Sequence, residues 1–379
     1  MTATAQDATF MQRALHLAQQ GQGRVEPNPM VGCVITRDGA IVGEGFHTAY
    51  GKSHAEVEAI QAAGTTAKGG SLYVNLEPCC HQGKTPPCTR AIMAAGLKRV
   101  IVGNEDPFDQ VAGGGLAELR AAGIDVVTGI AASAASKLNA PYFHRLATGR
   151  PWVIAKWAMT LDGKIATGTG ESRWISSEPS REIVHRLRGR VDAVIIGSRT
   201  ALADDPLLTA RPAGPRLATR IILDSNAALS LESQLAKTAG ESLVLVVTGP
   251  AATAEATKNL AEKGCEILQL ADNDPGVRLQ LLLSELGKRG MANLLVEGGS
   301  QLLGSFFDQG LINEVHTFIA PILLGGNGLS AIGGHGVEKM AESWKLEDLQ
   351  VEQTGGDIYL QGHLPQPKNP GNVTLRHPS

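Results

Sequence analysis

The order of apolar and amphipathic segments restricts the fold of this chain more than any other feature of its sequence. Residues 7–20 carry apolar side chains at helical spacing, and Asp7 can cap that helix. Two apolar runs, at 30–36 and 40–45, flank Asp38-Gly39, a pair typical of hairpin turns. Helical and strand-like segments then alternate at 54–63, 71–76, 89–95, 99–103, 116–122 and 124–128. This order predicts an α/β domain with three layers.

A second series of strands and helices begins after residues 141–151, which interrupt the alternation. Strands are predicted from Trp152 onward and at 192–197, 220–224, 243–248, 266–270, 293–297 and 314–319. Helices are predicted at 179–188, 254–263, 277–288 and 301–309. A length of 379 residues favours two domains. We expect one α/β domain at 1–147, a second at 148–364, and a disordered tail at 365–379, which has four prolines and no core pattern.

Composition excludes several classes of protein. Lys plus Arg total 34 against 37 Asp plus Glu, for a formal net charge of −3. Without a basic excess, binding to nucleic-acid phosphates is not expected. No apolar run approaches the roughly 20 residues of a membrane span, and the first residues lack the basic and apolar regions of a signal peptide. Five cysteines, two of them adjacent, suit reduced thiols or a metal better than disulfides. We therefore expect a cytoplasmic protein.

The strongest chemical signal is a set of metal-ligand residues in the first half. His54 and Glu56 open one predicted helix, and Cys79 and Cys88 follow. One imidazole and two thiolates give zinc three protein ligands and leave the fourth position for water. Zinc lowers the pKa of that water toward about 7. Glu56, two residues from His54, is placed to act as general acid and base.

The spacing of the cysteines leaves a second interpretation open. Zinc deaminases of nucleobases carry H-x-E followed by P-C-x-x-C, whereas eight residues separate Cys79 from Cys88 here. A purely structural zinc would need a fourth protein ligand. Cys80 is a poor candidate because it adjoins Cys79. Cys33 and Cys265 are expected to be ordinary core thiols.

These motifs resemble a known family. His54-Ala55-Glu56, the stretch 77–88 that ends in Thr-Pro-Pro-Cys, and Pro27-Asn28-Pro29 are similar to the deaminase domain of the bifunctional riboflavin-biosynthesis deaminase/reductases, which has a cytidine-deaminase-like fold. The resemblance implies zinc on His54, Cys79 and Cys88, with Glu56 as proton shuttle. It implies substrate contacts from Asn28, His47, His81, Lys84 and Thr85, and it places Asp106 near the site. Lys84 and Thr85 offer hydrogen-bond donors for a phosphate.

In the second half, no G-x-G-x-x-G follows the first predicted strand. The predicted strand 293–297 instead enters a helix through Gly298-Gly299. The amino end of a helix offers backbone N–H groups and a positive dipole, which suit a dinucleotide phosphate. Paired glycines also occur where a helix only packs closely on a strand, so the residues alone leave both interpretations open.

The stretches 156–164, 172–174 and 197–207 resemble the reductase domain of the same family, which is similar in fold to dihydrofolate reductase. The resemblance implies NADPH contacts from Ala158, Trp174, Thr200, Asp204, Ser225, Gly299, Ser300, Gln301, Leu302, Leu303, Gly304 and Ser305. It implies substrate contacts from Lys156, Ser172, Arg188, Leu207, Arg211 and Glu297, with the role of Lys156 left open. Without it, Trp174 would be a core residue, Arg188 part of a polar helix face, and Asp204-Asp205-Pro206 a turn.

The family resemblance implies two consecutive reactions. The first is zinc-dependent hydrolytic deamination of 2,5-diamino-6-ribosylamino-4(3H)-pyrimidinone 5′-phosphate to a uracil. The second is NADPH-dependent reduction of the ribosyl group of that uracil to ribityl. The expected partners are small pyrimidine ribotides and further copies of the chain, without nucleic acid or membrane. Alternatives are a nucleoside or nucleic-acid deaminase with a non-catalytic second domain, a metal-binding scaffold, and a deaminase whose reductase half is inactive.

Overall fold

A computed structural model describes residues 4–365 and divides the chain into two compact units between Ala147 and Thr148. Each unit has its own sheet. Within the described residues, no helix is long and apolar enough to cross a membrane. The tail expected at 365–379 lies, from residue 366 onward, outside the described residues.

The first unit is a sheet covered by helices on both faces. Its strands are β1 (Gly32–Arg37), β2 (Ala40–Phe46), β3 (Ser71–Leu76), β4 (Arg99–Asn104) and β5 (Asp125–Thr128). Its helices are α1 (Ala5–Gln19), α2 (Ala55–Ala63), α3 (Cys88–Ala94), α4 (Gly114–Ala121), α5 (Ala132–Leu138) and α6 (Ala140–Thr148). The sheet order is β2-β1-β3-β4-β5. Helices α1 and α5 pack on one face and α2, α3 and α4 on the other, which confirms the predicted three layers.

Helix α1 begins differently from the prediction. Thr4, not Asp7, is its N-cap, and Asp7 closes a capping box from the third helical position. The Asp7 carboxylate is buried, and it accepts hydrogen bonds from Arg99 at 3.0 and 3.1 Å and from the Tyr73 hydroxyl at 2.9 Å. Asp7 therefore links α1 to β3 and β4 as well as capping the helix.

Two glycines on β2 bring α2 close to the sheet. A Cβ atom at Gly43 or Gly45 would overlap the backbone of α2 near Ala59 and Ala55. Only glycine permits this approach. The close approach fixes the start of α2, where His54 and Glu56 lie, against the sheet.

The second unit contains a larger sheet in the order β11-β10-β9-β8-β12-β6-β13-β16-β15, with β7 paired to β14 separately. Its strands are β6 (Trp152–Thr160), β7 (Lys164–Ala166), β8 (Ala193–Gly197), β9 (Thr219–Leu223), β10 (Val244–Thr248), β11 (Glu266–Gln269), β12 (Asn293–Glu297), β13 (Glu314–Ala320), β14 (Leu329–Ser330), β15 (Glu347–Thr354) and β16 (Asp357–His363). Its helices are α7 (Glu178–Arg188), α8 (Ser198–Asp204), α9 (Gln234–Lys237), α10 (Ala254–Glu262), α11 (Pro275–Lys288) and α12 (Ser300–Asp308).

The topology of this sheet predicts where a ligand binds. Strands β8, β12, β6 and β13 run parallel, so their carboxyl ends share one edge. Ligands of open α/β sheets bind at that edge. The α/β class expected for both halves is confirmed.

Several elements were not predicted, among them the helices α5, α8 and α9 and the short strands β7 and β14. The expected break at 141–151 begins with a helix, α6, because Pro141 occupies its first turn, where a missing N–H costs nothing. The hairpin of β15 and β16 was not predicted. Its exposed strand β15 alternates too weakly in hydrophobicity to give a strand signal.

Candidate active sites

Three metal-ligand side chains converge in the first unit. The Nδ1 atom of His54 lies 3.5 Å from the sulfur of Cys79 and 3.3 Å from that of Cys88. All three donor atoms lie within 4.8 Å of one another. Tetrahedral zinc bonded to one imidazole and one thiolate separates the two donor atoms by about 3.5 Å. The residues therefore fit a zinc ion.

The two cysteines are held by the backbone and by each other. The Cys88 N–H points to the Cys79 sulfur at 3.4 Å, at the start of α3. Hydrogen bonding from the Cys88 thiol lowers the pKa of Cys79 to about 4; burial opposes this shift and His54 assists it. Cys79 is thus a thiolate at neutral pH, which is the form that binds metals. Cys33 and Cys265 are buried, as predicted for core thiols.

Glu56 lies in the first turn of α2, two residues from His54, and only 3% of it is exposed. Burial raises its pKa to about 7, although the nearby His54 opposes the shift. Its Oε2 atom has no hydrogen-bond partner within the structure described. A buried carboxyl group with a pKa near neutrality and a free oxygen can both accept and donate a proton.

A cavity of about 270 Å³ opens beside this cluster. It is lined by His54, Glu56 and Cys79 and by all of the predicted substrate-binding residues of this half: Asn28, His47, His81, Lys84 and Thr85. The Asn28 amide lies 3.3 Å from His47 Nε2, while His47 Nδ1 lies 3.0 Å from the Ser53 carbonyl. Because a carbonyl only accepts, Nδ1 carries the proton and Nε2 accepts from Asn28.

The Asn28 segment is anchored by two buried amides. The side-chain carbonyl of Asn139 accepts a hydrogen bond from the Met30 N–H at 2.8 Å, and the Asn139 side-chain amide donates one to the Met30 carbonyl at 2.9 Å. Asn75 donates to the same carbonyl at 2.9 Å. Asn28, two residues away, therefore projects into the cavity from a fixed backbone.

Thr85, His81 and Lys84 have distinct surroundings. The Thr85 hydroxyl lies 3.4 Å from His54 Nε2, so it contacts the nitrogen of the ligand imidazole that faces away from the sulfurs. Such partners orient metal-binding histidines. The His81 ring packs edge-on against Phe108 at 5.8 Å. The Lys84 ammonium lies over the Tyr50 ring, 4.0 Å from its centroid.

Further residues of the cavity were missed by the sequence analysis. Tyr142 and Arg145 reach it from α6, a helix that the sequence analysis did not predict. The Tyr142 hydroxyl donates to both oxygens of Asp106, at 3.0 and 3.3 Å, and burial raises the pKa of Asp106. Glu77 accepts four backbone N–H groups, including those of Asp106 and Gly115, and so holds the loop after β4 in place.

In the second unit, three charged side chains meet at the carboxyl edge of the sheet. Glu297 ends β12 and forms a bidentate pair with Arg188, at 2.6 and 2.9 Å. Lys156 on β6 lies 3.8 Å from the same carboxylate. Burial raises the pKa of Glu297, but Arg188 and Lys156 more than offset it, so the net shift is downward. Burial lowers the pKa of Lys156. Glu297 is therefore an anion held between two cations.

Gly298 and Gly299 follow Glu297 directly in the sequence and lead into α12, with Gly299 as its N-cap. Gly298 has φ +130°, and no side chain caps the helix at Gly299. The Gly299 N–H donates to the Thr200 hydroxyl of α8 at 3.2 Å. An uncapped amino end at the carboxyl edge of a parallel sheet suits a dinucleotide phosphate, so these residues fit NADPH. Leu302 and Leu303 pack into the core, and Gly304 packs against Gly333.

The structure does not bring every predicted reductase residue into one contact network. Trp174 is 70% exposed and stacks on Arg181 at 4.6 Å, so the interpretation of Trp174 as core is wrong. The backbone carbonyl of Asp204 accepts a hydrogen bond from the Arg173 guanidinium group at 2.6 Å. The Ser225 hydroxyl accepts from Arg278 at 3.0 Å. The other predicted residues of this half have intermediate or high exposure: Ala158, Ser172, Leu207, Arg211, Ser300, Gln301 and Ser305.

Fold and site together define a zinc-dependent deaminase domain followed by a second α/β enzyme domain. Residues 4–104 match the family described as "Cytidine and deoxycytidylate deaminase zinc-binding region". Residues 151–360 match the family described as "RibD C-terminal domain".

Relatives match nearly the whole chain. The riboflavin biosynthesis protein RibD of Actinobacillus pleuropneumoniae is 41% identical over 94% of this chain and 95% of its own length. The riboflavin biosynthesis protein RibD of Aquifex aeolicus is 42% identical over 93% of this chain and 97% of its own length. The structure of Acinetobacter baumannii RibD superimposes with a TM-score of 0.83 at 37% identity, covering 95% of this chain and 99% of its own.

The chain belongs to the RibD family of bifunctional deaminase/reductases of riboflavin biosynthesis. A deaminase/reductase structure from Thermotoga maritima, with a TM-score of 0.81 and 33% identity, covers 95% of this chain and 99% of its own. The protein is thus a zinc-dependent pyrimidine deaminase and an NADPH-dependent reductase, as the resemblance implied. Because both halves match, the alternatives of a nucleoside or nucleic-acid deaminase with a non-catalytic second domain and of a metal-binding scaffold are set aside.

Proposed function

We propose that the deamination takes place in the cavity beside His54, Cys79 and Cys88, which hold the zinc ion, and that Glu56 moves the protons. Zinc, when bound, supplies an activated water and a Lewis acid. Glu56 would take up a proton at its free Oε2 atom and return one to the departing amino group. The observation that supports this role is the free Oε2 atom of a buried carboxyl group whose pKa is near 7.

Asn28 and His47 orient the pyrimidine in this proposal. The Asn28 amide has one donor committed to His47 Nε2 and keeps its carbonyl and its second N–H for a ring edge. The His47 ring is held in turn by its hydrogen bond from Nδ1 to the Ser53 carbonyl. Thr85 lines the same cavity and orients His54.

The experiment that tests this proposal compares Glu56→Gln with Glu58→Gln, a change on the same helix outside the cavity. Zinc content, ammonia release from the diaminopyrimidinone ribotide, and NADPH oxidation with the deaminated substrate are measured on each variant. We expect Glu56→Gln to retain zinc and reductase activity and to lose ammonia release by about 10²-fold or more. Unchanged ammonia release would remove Glu56 from the mechanism.

For the reduction, we propose that the substrate sugar binds against Lys156 and Glu297. NADPH, when bound near the start of α12, supplies hydride for the ribosyl C1′. The Lys156 ammonium lies 3.8 Å from the Glu297 carboxylate with 16% of its side chain exposed, so it can donate to a sugar oxygen. Arg188 fixes Glu297, and the pair keeps Lys156 in position. Trp174, Asp204, Ser225, Ser172, Leu207 and Arg211 keep the cofactor and substrate roles that the resemblance implies.

Arg188→Lys tests the reductase arrangement, because lysine keeps the charge and loses the bidentate geometry. We expect a lower reductase kcat with the deaminase rate unchanged. Equal reductase kinetics in the variant and the wild type would show that the fixed position of Glu297 does not matter. NADPH oxidation by the unmodified protein, supplied with deaminated substrate, also decides whether the reductase half is active.

We further propose a cytoplasmic enzyme that assembles with itself. Free Cys79 and Cys88 thiols, which zinc requires, persist in a reducing compartment. The edge hairpin exposes Leu349, Val351 and Ile358, an apolar surface of the kind that subunit contacts cover. Sedimentation of the purified protein at several concentrations measures the assembly state, and a monomer at all concentrations would contradict it.

A further inference from the structure

Arg145, on helix α6, lies in the wall of the deaminase cavity. It lines the cavity together with Tyr142, one helical turn away, and Phe108. Its Nε atom is buried and has no hydrogen-bond partner within the described residues. Its two terminal nitrogens form no hydrogen bond with the described residues either, and they are not among the buried unpaired atoms. The end of the guanidinium group is therefore accessible on a residue that lines the cavity.

The charges around the cavity favour an anionic group next to Arg145. Lys52 and Lys84 also line it, and none of these three cations forms an ion pair within the part of the chain that the structure describes. Two of the three acids that line the cavity are engaged, because Asp106 accepts hydrogen bonds from Tyr142 and from the Phe108 N–H, and Glu77 accepts four backbone N–H groups. The third, Glu56, lies beside the metal ligands. A partly buried arginine without a carboxylate partner is costly unless a ligand supplies the negative charge.

The position of Arg145 in the chain separates it from the zinc chemistry. The match to the zinc-binding region of cytidine and deoxycytidylate deaminases spans residues 4–104. Helix α6 (Ala140–Thr148) lies beyond that region. The metal ligands and Glu56 belong to the shared part, so Arg145 is a residue through which this chain can select its own substrate.

We propose that Arg145 binds the 5′-phosphate of the pyrimidine ribotide in the deaminase cavity and makes deamination selective for the phosphorylated substrate. This proposal rests on the proposed deaminase function. The planar guanidinium group matches a phosphate with two parallel hydrogen bonds, which an ammonium group cannot do. Lys84 and Lys52 add positive charge to the cavity, and the planar guanidinium group of Arg145 orients the phosphate.

The test compares the holoenzyme with Arg145→Ala, Arg145→Lys and a control, Arg120→Ala, which removes an exposed arginine on α4. Ammonia release is followed with the diaminopyrimidinone ribotide and with its dephosphorylated form. We expect Arg145→Ala to lower kcat/KM for the ribotide about 10- to 100-fold, mainly through KM, with little change for the dephosphorylated compound. Arg145→Lys should recover part of the loss, and Arg120→Ala should match the wild type.

Inorganic phosphate provides an independent probe. It should inhibit deamination competitively in the wild type and less strongly in Arg145→Ala. Zinc content and NADPH oxidation with deaminated substrate report whether each variant is folded. An equal loss of kcat/KM for both substrates in a folded variant, or an unchanged preference for the ribotide, would overturn the proposal. Absence of ammonia release from the zinc-loaded wild type would instead reject the proposed deaminase function.

Discussion

Adjacent cysteines have different chemistry at this site. The Cys79 sulfur faces His54 and Cys88, whereas the Cys80 sulfur points to the Gln110 carbonyl at 3.7 Å. Neighbouring residues in an extended loop direct their side chains apart, so only one of the two can reach the metal. The sequence analysis made Cys80 a poor candidate for a metal ligand because it adjoins Cys79, and the geometry agrees.

At the residue scale we predict that Cys79→Ser strips zinc from the protein while Cys80→Ser retains it. Serine lacks the thiolate that binds zinc at neutral pH. Metal content per chain, measured by atomic emission, distinguishes the two variants. If Cys80→Ser lost zinc and Cys79→Ser kept it, the assignment of the ligands would be reversed.

The metal cluster was predictable from sequence because metal ligation demands particular residue types in a short segment. The residues that contact the metal ligands or complete the cavity wall could not be predicted in the same way. Thr85 was expected at a phosphate, and its contact with His54 was not foreseen because it depends on how the loop between the cysteines folds. Arg145 and Tyr142 carry no local signal, since an arginine or a tyrosine on a helix is usually an ordinary surface or core residue.

At the scale of elements, the start of α12 depends on a backbone conformation that only glycine adopts readily. Gly298 has φ +130°, and a Cβ there would come within 3.2 Å of the Thr200 hydroxyl. We predict that Gly298→Ala weakens NADPH binding at least several-fold and destabilises the second unit by about 1–3 kcal/mol.

Fluorescence titration with NADPH and thermal unfolding measure these two effects. Gly240→Ala is the matched control, because a Cβ at Gly240 meets no atom within 4 Å. Wild-type affinity in Gly298→Ala would show that the conformation of this turn is irrelevant to the cofactor.

The capping box of α1 leads to a second prediction at this scale. Hydrogen bonds to Thr4, Arg99 and Tyr73 lower the pKa of Asp7 although burial opposes them. A carboxyl group with a lowered pKa in the folded state contributes stability above its unfolded pKa of about 3.9 and loses it as the pH falls through the folded pKa. Asp7→Asn should cost about 1–3 kcal/mol at pH 7, and the difference from wild type should shrink on acidification.

Urea unfolding at pH 7 and at several lower pH values checks this expectation. Asp38→Asn, which alters an exposed pair with Arg37, should change stability by less than about 1 kcal/mol. A difference between Asp7→Asn and wild type that grew on acidification would contradict the lowered pKa.

Elements with strong periodicity were predictable, and those defined by tertiary contact were not. The buried strands of both sheets are apolar runs, and their positions agree with the prediction within a few residues. Helix α6 was hidden by Pro141, and the hairpin of β15 and β16 by its exposed, weakly alternating sequence. The hairpin is held by the pairing of β15 with β16 and of β16 with β13, which no local pattern reveals.

At the scale of the whole molecule, the two groups of functional residues lie in separate compact units. We predict that removal of zinc with a chelator abolishes ammonia release and leaves NADPH oxidation with the deaminated substrate within about two-fold of the untreated protein. Readdition of zinc should restore ammonia release. Loss of both activities in a protein that remains folded by circular dichroism would show that the units depend on each other.

The anchoring of Met30 by Asn139 implies that this deaminase is assembled from two kinds of chain segment. The segment up to residue 104 carries the reactive groups and most of the cavity wall, and the segment that follows, from Asp106 to Arg145, completes the wall. Buried hydrogen bonds join the two segments, from Asn139 to Met30 and from the loop after β4 to Glu77, so neither segment can be exchanged alone. An engineer who wants this cavity to accept another nucleotide would therefore change single wall residues such as Arg145 and keep the backbone of both segments.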